Sequence, residues 1–348
     1  MKRVFLILVI LLSALQAEVN LKEWKFTTNL RIKATPLIVK DSVYLSSYDS
    51  SLYKIDLNSG KEVWHFQTKN FLNSTAILDS SKLFIGSADG YFYAINSKDG
   101  SLIWKFKTSD MITRRGIVVQ DMAIFGGADG YIYALNKDSG ELIWKKSLNS
   151  RICADLVYSN SMLYVSTIDK KIHAINIRNQ KTLWSFSTKE RVTIKPIYED
   201  AKLFIADEGV DFIAIDTNDG SKLWGLKIPS KIITMKMKNK YFYITSSDYR
   251  FSIVNKLTGK LKKSYVENDN ISSLSLGDRF IIFGIDSGYL VFFDYNYNFV
   301  YDRNLGTKIT SLKYFDKNLY VTDEDGTLYK FSTSSIHIPQ ILTPPTPL

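Results

Sequence analysis

Six tryptophans, Trp24, Trp64, Trp104, Trp144, Trp184 and Trp224, stand 40 residues apart without exception. Around them the chain repeats itself. Ala94-Ile95-Asn96-Ser97-Lys98-Asp99-Gly100-Ser101-Leu102-Ile103-Trp104 returns as Ala134-Leu135-Asn136-Lys137-Asp138-Ser139-Gly140-Glu141-Leu142-Ile143-Trp144, then in eroded form up to Trp184 and Trp224. A strand-rich unit with a period near 40 is one blade of a β-propeller, so the 348 residues predict one closed ring rather than two or three domains.

Each unit predicts four short strands. In the second they are Thr75 to Leu78, Lys82 to Gly86, Tyr91 to Ile95 and Ser101 to Lys107, separated by the turn signals Ala88-Asp89-Gly90 and Lys98-Asp99-Gly100. The Asp turns give a second ruler: Asp49, Asp89, Asp129, Asp169, Gly209, Asp248, Asp286 and Asp325. Eight turns imply eight blades. The late blades lack Trp, with Lys263 at the sixth position and Tyr301 near the seventh. The eighth unit supplies three strands, near Ile309 to Tyr314, Leu319 to Thr322 and Thr327 to Phe331. The missing fourth is expected at the other end of the chain, where Glu23-Trp24-Lys25-Phe26 matches Ile103-Trp104-Lys105-Phe106. The fold class is therefore all-β: an eight-bladed β-propeller of four-stranded antiparallel blades, residues 20–332, closed by the N-terminal strand, which leaves no exposed seam.

Residues 1–17 read as a secretory signal: Lys2-Arg3, an apolar run from Val4 to Leu12, and Leu15-Gln16-Ala17 as the cleavage end. No cysteine follows that point, so the reading expects a monomeric, periplasmic chain without a lipid anchor or membrane insertion. Residues 333–348 read as a Pro-rich disordered tail, with four of the seven prolines. Net charge is +10, or about +8 without Lys2 and Arg3. Such a balance by itself can mean nucleic acid, anionic lipid or an acidic protein partner; of these a protein partner is expected, and nucleic acid is not. The single cysteine, Cys153, forbids an intramolecular disulfide.

The run Ala-x-Asn/Asp-x-x-x-Gly-x-x-x-Trp resembles the PQQ-like repeat of quinoprotein-type propellers across essentially the whole mature chain. The resemblance gives the tryptophans, Gly100 and Gly140 structural roles. A large flat indole on the outer strand fills the gap between blades, and its N–H reaches a neighbouring carbonyl. Length, leader and blade count resemble the non-catalytic periplasmic branch, the BamB-type accessories of outer-membrane protein assembly, whose lipid-modified cysteine is missing here. That resemblance implies a protein-interaction scaffold with no cofactor and no catalytic residue. A nitrate-reductase accessory propeller is the alternative, and a quinone-binding dehydrogenase a more distant one.

The residues themselves supply little catalytic chemistry. His65 follows Trp64, His173 sits in a third strand and His337 lies in the tail, an arrangement too scattered for a metal site. Cys153 reads as a small buried hydrophobe. Asp323-Glu324-Asp325-Gly326 lacks the spaced ligands of a calcium loop and reads as a turn. Partner contacts are expected on loops. Sliding the 40-residue ruler to the link between each outer strand and the next inner strand gives Arg31, Phe71, Met111, Arg151, Arg191, Lys231, Asn270 and Lys308. Five of the eight are basic, where 45 Lys and Arg in 348 residues would put about one. The next residue is always aliphatic: Ile32, Leu72, Ile112, Ile152, Val192, Ile232, Ile271 and Ile309. Neighbours on an extended chain face opposite ways, so the aliphatic row should pack between blades while the basic row faces one open mouth. Met111, Ile112, Arg114 and Arg115 also resemble the hydrophobic-plus-Arg-Gly loop by which BamB-type accessories hold their partner. The expected contact surface is thus Arg31, Met111, Ile112, Arg114, Arg115, Arg151, Arg191, Lys231 and Lys308, offered to an acidic protein segment, which could belong to an envelope assembly subunit, or to an anionic ligand.

Overall fold

The computed structural model describes residues 22–336. The signal segment expected at 1–17, most of the tail and His337 lie outside the described residues. All regular elements are strands, grouped into eight four-stranded antiparallel sheets. Blades one to five span residues 37–67, 77–107, 117–147, 157–187 and 197–227, and blades six and seven span 232–266 and 271–304. Blade eight joins Ile309–Phe315, Asn318–Asp323 and Thr327–Ser332 to the N-terminal strand Lys22–Thr27, which pairs with Thr327–Ser332.

Burial follows position in the blade. The second and third strands, such as Lys82–Gly86 and Tyr91–Asn96, lie almost wholly in the core. The outer strands, such as Leu102–Lys107, alternate. First strands in blades one to five are only three residues long. In blade two this strand is Ile77–Asp79, starting later than the alternation predicts. Thr75 leaves the ladder and donates its hydroxyl to the Thr35 carbonyl of blade one at 2.8 Å.

The core lies between blades: each of the eight junctions holds one apolar cluster. Tyr44, Leu52 and Trp64 of blade one meet Leu83, Ile85 and Tyr93 of blade two. At the closing junction, Trp24, Tyr320 and Leu328 meet Val43, Leu45 and Tyr53. Each tryptophan takes one register, as in Ala94↔Trp104, followed by a bulge. Its indole lies over the turn of the next blade. Four indole N–H groups donate there: Trp24 to Leu57 O at 3.0 Å, Trp64 to Lys98 O at 3.1 Å, Trp104 to Lys137 O at 3.2 Å and Trp184 to Thr217 O at 2.9 Å. A Cβ on Gly100, which has φ +76°, would collide with the Trp64 ring, so glycine here both makes the turn and admits the indole.

Where tryptophan is missing, other side chains fill the space. Tyr301 takes its register opposite Phe292, again before a bulge. Lys263 takes it in blade six, where Tyr265 and Tyr297 stack 3.6 Å apart nearby. Two boundaries differ from the sequence expectation. At Gly209 the turn function passes to Asp207, which accepts the N–H groups of Gly209 and Asp211. Residues 333–336, assigned to the tail on composition, pack on the ring instead. Thr333 donates its hydroxyl to Lys317 O at 2.6 Å, and Ile336 is buried against the core of blades seven and eight.

Candidate functional site

Eight equivalent links enter the inner strands at one mouth. In each, the carbonyl of the predicted ring residue accepts an N–H from the turn between the second and third strands of the same blade. The donors to Arg31, Phe71, Met111, Arg151, Arg191, Lys231, Asn270 and Lys308 are Tyr48, Ala88, Ala128, Ile168, Glu208, Ser247, Asp286 and Glu324, at 2.7–3.1 Å. One repeated hydrogen bond thus holds all eight residues at the same level. The aliphatic residue that follows each is buried in every blade. It faces the previous blade: a Cβ on Gly86, Gly126 or Gly284 would strike Ile112, Ile152 or Ile309. Ile112, expected on sequence to touch a partner, is fully buried and cannot do so.

The charge at the mouth is partly met from within. Arg191 pairs with Glu208 at 2.7 Å, Lys231 reaches the same carboxylate at 3.6 Å, and Lys308 pairs with Asp286 at 2.9 Å. These carboxylates come from the turns that donate the repeated hydrogen bonds, a pairing that the link sequence alone does not reveal. Exposed pairs of this kind contribute little to stability. The Arg31 guanidinium lies 4.7 Å from the centre of the Tyr48 ring, which stacks on Phe71 at 4.7 Å. Arg151 is exposed and makes no ion pair among the described residues. Arg114 and Arg115 part company. Arg114 acts electrostatically on Tyr48 and Cys153, near the mouth. Arg115 turns inward: its Nε is buried without a hydrogen-bond partner, while its backbone N–H donates to Asp155 Oδ1 at 2.9 Å. Sequence spacing placed both arginines at the mouth because it cannot show which way successive side chains leave an irregular link.

The remaining chemistry-bearing groups have structural settings. His65 pairs with Glu62 at 2.8 Å, and His173 meets Ser185 Oγ at 2.8 Å. Asp323 Oδ1 accepts the Thr327 N–H at 2.8 Å, and the same turn offers Gly326 O to the Thr28 N–H. Cys153 is buried and its thiol donates to Val192 O at 3.2 Å. Burial pushes that thiol up to about 11. Since the thiolate is the reactive form, native protein at about pH 8 should resist a disulfide-exchange reagent and release one equivalent of chromophore only after denaturation. Rapid labelling of the native protein would show that Cys153 is accessible.

The family model described as outer membrane protein assembly factor BamB matches residues 7–111, 88–231 and 128–335. BamB from Moraxella catarrhalis superimposes with a TM-score of 0.75 at 15% identity, covering 89% of this chain and 99% of that one. The computationally designed Ika8 protein gives 0.78 at 15% identity, covering 88% and 97%. No curated protein matches the sequence. At such identities the two structures speak for the propeller alone, whereas the family model extends over most of the described ring. The chain belongs to the PQQ-like propeller family of the outer membrane protein assembly factor BamB.

Proposed function

We propose that the protein is a non-catalytic periplasmic scaffold that assists outer-membrane protein assembly by holding an acidic segment of an assembly subunit at its basic mouth. The observation that carries this reading is the level set of eight link residues, five of them basic, fixed by one hydrogen bond repeated in every blade. Exposed cations on rigid backbone steer and orient an acidic partner, and Arg31, Arg114 and Arg151 make no ion pair among the described residues. The stacked pair Tyr48 and Phe71 adds an aromatic anchor beside them.

Arg191 and Lys231 share Glu208, so reversing either would disturb an internal pair as well as a docking charge. Arg31→Glu with Arg151→Glu is the cleaner test. Binding of the purified double variant to the periplasmic region of the host's barrel-assembly subunit should weaken at least about tenfold, while the melting temperature moves by no more than about 2 °C. Unchanged binding would remove the mouth as the docking surface. Binding to a periplasmic reductase in place of the assembly subunit would move the protein to the reductase-accessory role.

A further inference from the structure

Blade one departs from its neighbours on the outside of the ring. There its outer strand Glu62–Gln67 and the N-terminal strand of blade eight border a cleft of about 430 Å³. In blade two the same position of the third strand carries Tyr91, and the ammonium groups of Lys105 and Lys107 stand 5.0 and 4.6 Å from the centre of its ring. Blade three repeats this with Tyr131 and Lys145, at 5.3 Å. Blades four and five place ion pairs there, Lys171 with Asp169 and Lys189 with Asp211, each at 3.1 Å. Blade one has Ser51 at the tyrosine position, and Glu62, His65 and Gln67 where blade two has Leu102, Lys105 and Lys107. Larger side chains suit this position in four other blades, so the fold itself does not require the opening.

Most of the wall is committed to internal bonds, and what remains is a defined set of free groups. Asp49 is saturated: Oδ1 accepts the Ser51 N–H at 3.1 Å, and Oδ2 accepts the Asn29 N–H at 3.0 Å and the Tyr53 hydroxyl at 2.7 Å. Gln67 is held at both ends of its amide. Its Oε1 accepts the Ser51 hydroxyl at 3.0 Å, and its Nε2 donates to the Asp49 carbonyl at 3.2 Å, which leaves one N–H. His65 Nδ1 and Glu62 Oε1 meet at 2.8 Å. With Nδ1 as the donor, His65 Nε2 and Glu62 Oε2 remain as acceptors. Both side chains are exposed, His65 by 51% and Glu62 by 38%. Phe26 and Tyr53, packed edge to face at 5.2 Å, form the apolar side. Among the described residues that line the cleft there is no lysine or arginine.

We propose that this cleft binds one ring of a neutral sugar. Hydroxyls on neighbouring ring carbons donate to Glu62 Oε2 and His65 Nε2, while a sugar oxygen accepts the spare N–H of Gln67. The C–H face of the same ring covers the aromatic side. A phosphate or carboxylate would meet the Glu62 charge with no cation to offset it. The volume falls in the range of roughly 300–1,000 Å³ usual for small-molecule sites. Phe26 belongs to the N-terminal strand and Glu62 to blade one, so an occupied cleft ties the two sides of the closing junction together. The site is separate from the channel and does not depend on docking at the mouth.

The test is titration calorimetry and thermal unfolding of the full ring with maltotriose, cellotriose and chitotriose, and with putrescine as a cationic control. Saturable one-to-one binding of at least one sugar, with a matching rise in melting temperature, is expected, and which sugar binds reads the hydroxyl geometry the cleft selects. Ser51→Tyr installs the residue that blades two and three carry. It should weaken that binding at least about tenfold and move the melting temperature of the free protein by no more than about 2 °C. Glu62→Gln, which keeps the shape and loses the charged acceptor, should also weaken it about tenfold. Arg31→Glu with Arg151→Glu should leave it intact. No saturable binding of any of the three sugars, binding that survives Ser51→Tyr, or tighter binding of putrescine than of any sugar overturns the proposal; binding lost with the mouth variant would put the sugar at the mouth and overturn it as well.

Discussion

Deleting residues 22–28 should lower the apparent melting temperature by more than about 10 °C and make the opened ring self-associate. Three losses add up. The first is Trp24, buried at the junction of blades eight and one and donating to Leu57 O across it; truncating such a side chain costs about 3–5 kcal/mol. The second is Glu23, which pairs with Lys330 at 2.6 Å; Lys330 is itself buried and would lose that partner, keeping the Leu57 carbonyl at 3.3 Å as an acceptor. Removing one partner of a buried pair is costlier than the pair is worth. The third is the ladder to Thr327–Ser332, together with the Thr28 N–H and hydroxyl, which both donate to Gly326 O. The strand left behind becomes an open edge, ready to pair with another chain. Size-exclusion chromatography and thermal unfolding read both effects. A truncated protein that elutes as a monomer and melts with the parent would show that the ring is held without its N-terminal strand.

Why this closure is legible in the sequence is plain from Trp24. A strand that must complete a distant blade carries the same side chain, in the same register, as strands that complete their own, so the 40-residue ruler reaches it. The blade number is legible for a similar reason: turns need Asp or Gly wherever they occur, and erosion of the tryptophans leaves them in place. Local substitution is harder to read. Gly209 hides a turn because Asp207, two residues earlier, does the bonding. Ile336 hides in a stretch whose composition resembles a tail, since burial of one residue leaves no periodic trace. At the mouth, the link sequence shows where the basic residues stand and that an aliphatic follows each. It does not show that Glu208 and Asp286, sixteen or seventeen residues further on, fold back beside Arg191 and Asn270 and meet Arg191, Lys231 and Lys308.

Trp184→Ala should cost about 3–5 kcal/mol, and Trp144→Ala at least about 1 kcal/mol less, although the two stand in the same register of neighbouring blades. Trp184 is 9% exposed and sits in the cluster joining blades four and five with Tyr164, Leu203 and Ile205. Its N–H donates to the Thr217 carbonyl at 2.9 Å, and its ring covers Gly220. Truncation would leave a cavity and an unpaired carbonyl together. Trp144 is only partly buried, its indole N–H has no acceptor, and the residue with positive φ in the facing turn is Gln180 rather than glycine. With no hydrogen bond to lose, its truncation removes packing alone. Trp184→Phe keeps an aromatic ring but loses the donor and part of the packing, so its cost should fall below that of the alanine variant. Urea unfolding followed by circular dichroism gives the ranking from the midpoints, provided the slopes agree. Equal losses at the two positions would mean that the indole hydrogen bond and the glycine beneath the ring contribute nothing to joining the blades.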